Sequence, residues 1–386
     1  MNRDETSRTG MMALEEGSRV DFTRLRHDRR RRLARGMEAA GLDALVLGRG
    51  PNVRYAAGAR QLWRAGTSPF APMCVMVAET GKVHLLSVWD EGVPPEIGHD
   101  ELYGLFWNPA NLLEALRGIP GLAEAERVGT DGFTPLFGRL QPAIAPKAEV
   151  VDASPLLSEA RATKTADEVA CITVAATLAE AALCALEHAL APGVTERQLL
   201  GVFYECVCRL GSPAPASESV AFATPAHGPV RFRHLVSDRP VGEGELVALA
   251  PSALYAGYEG GLARTRVAGS SAPKGTAALA GRCRTALDAL VAACRPGAAG
   301  ADLYAAWEST GEPAPTVLLA NGIGIGTEPP VIGFGRGRTA TLVEGQVLSV
   351  QAWAAHEGTG GFLEREVVLV GAEGPQVLTR GERFPL

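Results

Sequence analysis

The side chains best suited to proton transfer cluster just ahead of one stretch, Gly244 to Thr265, which reads GELVALAPSALYAGYEGGLART. The preceding segment, TPAHGPVRFRHLVSDRPV, carries His227 and His234. Histidine is the side chain most readily poised to take and give a proton near pH 7, so each is a candidate acid–base group; the alternative is a hydrogen-bonded loop histidine. His188 falls within a helical pattern and His356 in a glycine-rich loop, and both rank lower. The chain has no GxGxxG after a strand, no phosphate-binding P-loop and no GxSxG elbow. The run GFGRGR from Gly333 to Arg338 is glycine-rich, but with 45 glycines in the chain it carries little weight as a phosphate site.

The stretch itself reads as two strands joined by a tight turn: an apolar run, Leu246 to Leu249, then Tyr255, Gly257 and Tyr258 before Arg264 and Thr265. It resembles the hairpin GDLVxIDxGxxYxGYxxDxxRT of the creatinase and Xaa-Pro aminopeptidase family, the prolidase-like, pita-bread proteins of peptidase family M24. In that hairpin the two aspartates bind metal, and Ala250 and Gly261 stand in their places. The stretch LANGIGIGTEPP puts Asn321 where the family has a third ligand, a histidine. LVEGQVLSVQAWA puts Gln351 where it has a fourth, a glutamate. The last position has two registers. Aligned without a gap to the metal enzymes, REVVLVGAEGP puts Arg365 at the fifth ligand; aligned to creatinase, GGFLEREVVLVGAEG puts Glu364 on that enzyme's substrate-binding glutamate, and the longer unbroken match favours the second.

Two adjacent divalent ions need an anionic, oxygen-rich cage, and an amide is a poor substitute for imidazole. The resemblance therefore implies no metal and no cofactor, and a metal-independent enzyme of creatinase type acting on a C–N or related bond of a small polar metabolite. The alternative is a degenerate family member that binds a ligand or partner without catalysis. On the first reading His234 is the catalytic acid and base and Glu364 grips the substrate, with His227, Tyr258, Arg264, Asn321, Gln351 and Arg64 as substrate contacts. Creatinase's other guanidinium-binding glutamate corresponds to Ala263, so creatine itself is a doubtful substrate. Arg264 can equally serve the hairpin's own structure. Arg60 and Arg64, flanking Trp63, read either as a lid contributed to a partner subunit or as a solvated loop.

The elements that must position these groups follow in order. Residues 1–20 are polar, without periodicity, and are expected to be disordered. From Thr23 an amphipathic helix carries Leu25, Leu33 and Met37 on one face and ends at Gly41; the strand LDALVLG and the family-like turn GPNVRYAAG come next. Strands and helices then alternate to Asp152, giving a creatinase-type α/β domain over residues 21–160. The junction DASPLLSEARATKTADEVA matches the family's interdomain segment. Capping boxes at Thr165 with Glu168 and at Thr195 with Gln198 predict two helices, ending near Leu190 and Gly211. Helices then strands, followed by a second round beginning near Lys274, are expected of an α+β pita-bread domain with pseudo-twofold repeat over residues 161–386.

At 386 residues and 46% hydrophobic content the chain can bury two domain cores. Its net charge of -6 argues against a nucleic-acid partner, despite the basic run from His27 to Arg35. No apolar run reaches the ~18 residues of a membrane span and no signal peptide is visible, so no membrane association and a cytoplasmic location are expected. The seven cysteines form no CxxC pair and are expected to be core thiols in a reducing compartment. The resemblance also implies a homodimer acting on a small molecule.

Overall fold

The computed structural model describes residues 20–59, 73–86, 92–104, 109–132, 135–212, 221–225 and 229–384. Residues 1–19 of the expected tail, and Arg60, Arg64 and His227, lie outside the described residues, while Val20 is buried. The chain divides into two compact units, Asp21–Arg161 and the chain from Ala162 onward.

In the first unit, α1 (Phe22–Ala40) is capped by Asp21, whose carboxylate accepts from Arg24 N at 2.9 Å, and ends at Gly41 in a left-handed conformation. Its buried residues, Leu25, Arg29, Leu33 and Met37, recur every four positions, the spacing that keeps side chains on one helix face. β1 (Ala44–Leu47), α2 (Gly50–Ala57), β2 (Cys74–Val77), β3 (Val83–Leu86), β4 (Leu102–Tyr103), α3 (Pro109–Arg117), β5 (Arg127–Thr130), α4 (Pro135–Ile144) and β6 (Glu149–Asp152) follow, and α5 (Ser154–Ala162) ends the unit. The six strands form one mixed sheet, ordered β4-β3-β2-β1-β5-β6. Buried Asp131 receives the backbone N–H groups of Gly48 and Arg49 and the Asn52 amide, fixing the turn that opens α2.

The second unit begins with α6 (Ala166–Ala189) and α7 (Glu196–Arg209), and both predicted capping boxes are formed. Then come β7 (Ala221–Thr224), β8 (Leu246–Leu249), β9 (Ser252–Tyr255), β10 (Tyr258–Gly261), β11 (Arg264–Val267), α8 (Thr276–Ala293), α9 (Gly300–Glu308), β12 (Leu318–Gly324), β13 (Gly326–Gly333), β14 (Val347–His356), β15 (Gly360–Gly371) and β16 (Gly374–Val377). A helix pair followed by strands thus occurs twice. The strands form an antiparallel sheet β13-β12-β14-β15-β16, a sheet β11-β8-β7 and the hairpin β10-β9. One core joins α8 and α9 to one face of the β12-β14-β15 sheet, through Leu287, Leu290, Trp307, Leu348, Val350 and Phe362.

Two expectations are corrected, those for the central stretch and for the cysteines. The stretch Gly244 to Thr265 is four strands, because the ribbon breaks at Ala250–Pro251 on one side and Leu262–Ala263 on the other; its outer part is the tight turn, at Ala256 and Gly257, both with positive φ. The helix α6 is, by length and composition, apolar enough to cross a membrane. In this fold it packs on β9 and β10, where a Cβ on Gly260 would lie 2.3 Å from Ala176 N. Cys184 and Cys208 are exposed and Cys206 partly so, on helix faces turned from the core; Cys74, Cys171, Cys283 and Cys294 are buried. Burial pushes the Cys74 and Cys294 thiols up to about 12, which leaves them unreactive.

Candidate functional site

Where the ribbon breaks, Leu262 N still reaches Pro251 O at 3.2 Å, but the carbonyls of Ala250 and Leu262 turn out of the ladder. Arg365 on β15 fills that gap. Its backbone exchanges two hydrogen bonds with Ala263, at 3.1 and 3.2 Å, and its Nη2 donates to Ala250 O at 3.3 Å and Leu262 O at 3.2 Å. The guanidinium thus lies against the two ribbon segments that hold Ala250 and Gly261. Its Nε is buried without a hydrogen-bond acceptor. Burial pulls its pKa down and the Glu259 carboxylate partly restores it. Glu259 itself accepts from Ser252 Oγ at 3.2 Å.

Strand alternation settles which neighbours share this site, since successive side chains point to opposite faces. Gln351 is directly opposite Arg365 across β14 and β15; Ser349 is opposite both Val367 and Asn321. Asn321, Ser349, Gln351 and Arg365 therefore share one face, and each is partly exposed although β14 is an interior strand. Farther along, Trp353 is opposite Leu363 and joins Phe222, Ala250, Ala263 and Val317 in an apolar cluster, with Phe232 packed on its edge. The polar face thus gives way along the sheet to an apolar cluster, in which the Trp353 ring lies over Gly361.

The loop between β7 and β8 supplies that cluster's outer edge. Glu196, fully buried in the first turn of α7, accepts from Ala223 N at 2.8 Å and Ser237 N at 2.7 Å and pairs with the Arg233 guanidinium, so one carboxylate ties the middle of the loop to β7. His234 is exposed and meets Phe232 edge to face at 4.7 Å between centroids; Phe232 in turn lies 5.6 Å from the Trp353 ring. His234 is thereby on the same side of the sheet as Gln351 and Arg365.

Three other expected site residues are used elsewhere. Glu364 is on the opposite face of β15 from Arg365, 1% exposed, near Cys283 and 3.7 Å from Arg383 Nε; the sheet separates it from His234, so the register that placed it in the site is corrected. Neither of its carboxylate oxygens has a hydrogen-bond donor, and burial pushes its pKa up, against the pull of Arg264 and Arg383. Arg264 is also buried: its five N–H groups are directed at Gly381 O, Ala263 O, Arg365 O and, at 2.8 Å, Glu366 Oε1. Tyr258 donates to Glu168 Oε1 at 2.7 Å and fastens the hairpin to α6. Asn321 donates to Gly322 O at 3.1 Å, and Glu328 pairs with buried Lys164 at 2.6 Å.

The residues do not fit a dinuclear metal centre. At the positions matching the family's ligands, Ala250 and Gly261 offer no donor, Asn321 and Gln351 only neutral amides, and Arg365 a positive charge. Nor is there room for an aspartate at 261, where a Cβ would lie 2.6 Å from Ser252 Oγ and 2.8 Å from Pro251 O. Among the described residues no three of His, Cys, Asp and Glu gather as a metal group. Sequence reasoning set Arg365 aside and did not consider Ser349, Trp353, Phe232 or Glu196. The sequence signal for Arg365 is the ungapped match of REVVLVGAEGP to the metal enzymes, which puts it at the fifth ligand position.

Comparison with known proteins agrees with the architecture. Residues 170–372 match the model of metallopeptidase family M24, and residues 29–163 that of the creatinase/prolidase N-terminal domain. No curated protein matches the chain significantly. Among solved structures, the prolidase from Pyrococcus horikoshii OT3 superposes with a TM-score of 0.75 at 20% identity, covering 93% of this chain and 100% of its own. An Xaa-Pro dipeptidase from Bacillus anthracis gives 0.77 at 19% identity, over 93% and 99%. The dipeptidase PepE from Mycobacterium ulcerans gives 0.72 at 23% identity, over 96% and 100%. With one family model spanning more than half its length and the fold of the prolidases throughout, this chain belongs to metallopeptidase family M24.

Proposed function

We propose that this M24 protein is not a dinuclear-metal Xaa-Pro peptidase, and that its rebuilt site binds a small polar molecule without catalysing peptide hydrolysis. The observation that carries the reading is Arg365: a guanidinium bonded to the Ala250 and Leu262 carbonyls brings a fixed positive charge to the segments that would have to hold two cations. Like charges at such range, in a partly desolvated site, repel strongly. The purified protein is expected to hold less than about one tenth equivalent of Mn, Zn, Fe or Co after gel filtration, and to leave Xaa-Pro dipeptides intact when Mn or Co is added. Near-stoichiometric metal together with dipeptide hydrolysis overturns the proposal.

A second reading, metal-independent catalysis with His234 as acid and base, is supported by the packing of His234 on Phe232 and of Phe232 on Trp353, which keeps the imidazole on the same side of the sheet as Gln351. Glu364 has no part in it. If a metabolite-depletion screen finds a turnover, His234→Ala is expected to slow it by ~10²-fold or more with folding intact, the usual contribution of general acid–base catalysis. Turnover unchanged in that variant removes His234 from consideration.

A further inference from the structure

We infer that residues 378–384 form a pH-sensitive strap, which lies closed over Glu364 while that carboxyl carries its proton and opens as the carboxyl ionises. The inference concerns the face of the sheet opposite Gln351 and Arg365, and it stands whichever functional reading of that site holds.

Neither carboxylate oxygen of buried Glu364 reaches a hydrogen-bond donor, and the neighbouring Arg284 Nε is buried without an acceptor. The charged and titratable groups around it are Cys283, Arg284 and Asp288 on α8, Arg264 on β11, Glu366 on β15 and Arg383 on the strap, with Glu312 acting on Cys283. Each cation is already engaged: Arg264 with Glu366 at 2.8 Å, Arg383 with Asp288 at 2.7 Å and Arg284 with Phe384 O. Burial pushes the Cys283 thiol up, so it stays neutral. A carboxylate here gives up its hydration without a hydrogen bond in return, whereas the protonated acid gives up much less. Burial accordingly raises the Glu364 pKa, against the pull of Arg264, Arg383 and Arg284.

The strap is the side of this enclosure that can yield. Arginines grip its carbonyls: Arg264 donates to Gly381 O at 2.8 and 3.1 Å, Arg266 to Glu382 O at 2.7 Å and Arg284 to Phe384 O. The Arg383 side chain, whose Nε is 3.7 Å from Glu364 Oε2, is 26% exposed, so lifting it admits water to the carboxyl. The sheet itself is far harder to part, since β14 and β15 are joined at ten paired positions. Arg264 also donates to Ala263 O at 2.8 Å and Arg365 O at 3.0 Å, which links the strap to the bridge between the ribbon and β15.

With the strap open, water restores Glu364 to its ordinary pKa of about 4.3. The opening equilibrium therefore gains up to about 10-fold per pH unit above that value, until the buried carboxyl ionises in place. The test is amide hydrogen exchange of the full chain from pH 5 to pH 8, expressed as protection relative to intrinsic rates. The Leu378 amide, bonded to Val367 O at 2.8 Å, reports on the strap, and the amides of β14 report on the sheet. Leu378 protection is expected to fall by at least about 10-fold across this range in the parent, to stay level in Glu364→Gln, and to remain below that of the β14 amides at every pH. Should Glu364→Gln fail to fold, Glu364→Met, an apolar side chain of similar length, takes its place with the same level profile expected. Leu378 protection that is independent of pH in the parent, or that falls equally in the Glu364 variants, overturns the inference. So does protection that rises with pH, as an ionised Glu364 drawing Arg383 inward would give, or exchange of Leu378 in step with β14, which is global unfolding rather than opening of a strap.

Discussion

Adjacent residues on β15, Glu364 and Arg365, carry opposite charge to opposite faces of one sheet, and the two charges have different consequences. Arg365 reaches a partly exposed face; Glu364 is sealed beneath it with Cys283, where its carboxylate finds no hydrogen-bond donor. Burial raises its pKa more than Arg264, Arg383 and Arg284 lower it. A carboxyl raised in the folded state leaves stability whole below its unfolded value of about 4.3 and subtracts from it as pH rises through the folded value. Glu364→Gln is therefore expected to unfold at a higher temperature than the parent near pH 8, with the gap closing toward pH 4. Thermal unfolding followed across that range checks the sign, and a variant that is the less stable at pH 8 rules it out.

At the scale of elements, the ribbon from Leu246 to Val267 is held from both sides. Its outer hairpin lies directly on α6, and Gly260 is the point of closest approach: a Cβ there would meet Ala176 N at 2.3 Å and Ile172 O at 2.6 Å, both backbone atoms that cannot turn aside. Gly260→Ala is expected to force the hairpin off the helix and to cost about 3 kcal/mol, the upper range for overpacking, read as a lowered urea midpoint. Its inner half is bridged to β15 by Ala263 and Arg365. The capping boxes at Thr165 and Thr195 fix where α6 and α7 start, and the second also sets Glu196, which ties down the loop of His234.

Across the second unit, the chain beyond β16 closes over the buried acids beneath β15. Thr379 Oγ1 donates to Glu366, Arg264 donates to Gly381 O, Arg383 pairs with Asp288 at 2.7 Å, and Phe384 meets Phe362 edge to face at 5.5 Å. A chain ending at Val377 loses all of these and leaves Arg264 and Glu366 with unmet bonds in the core. It is expected to be less stable by more than about 3 kcal/mol, as broken buried networks are, and a denaturation midpoint equal to the parent's would contradict that.

Much of this molecule is set by local rules that the chain carries in plain view. The start of α6 at Thr165, the start of α7 at Thr195 and the end of α1 at Gly41 follow from capping chemistry within four residues, and the family's scaffold positions around Tyr255 and Gly257 specify the hairpin turn. The replacements Ala250, Gly261, Asn321 and Gln351 could likewise be read one position at a time. What tertiary structure alone decided is which side chains face one another. Glu364 and Arg365 are neighbours in sequence, and the longer family match favoured Glu364; successive residues of a strand face opposite ways, and the pairing with Gln351 puts Arg365 on the face of Gln351 and Glu364 on the other. Arg264 and Tyr258 looked like free polar groups because their partners, Gly381, Glu366 and Glu168, are about 90 to 120 residues away in the chain, and no local pattern encodes contacts over such separations.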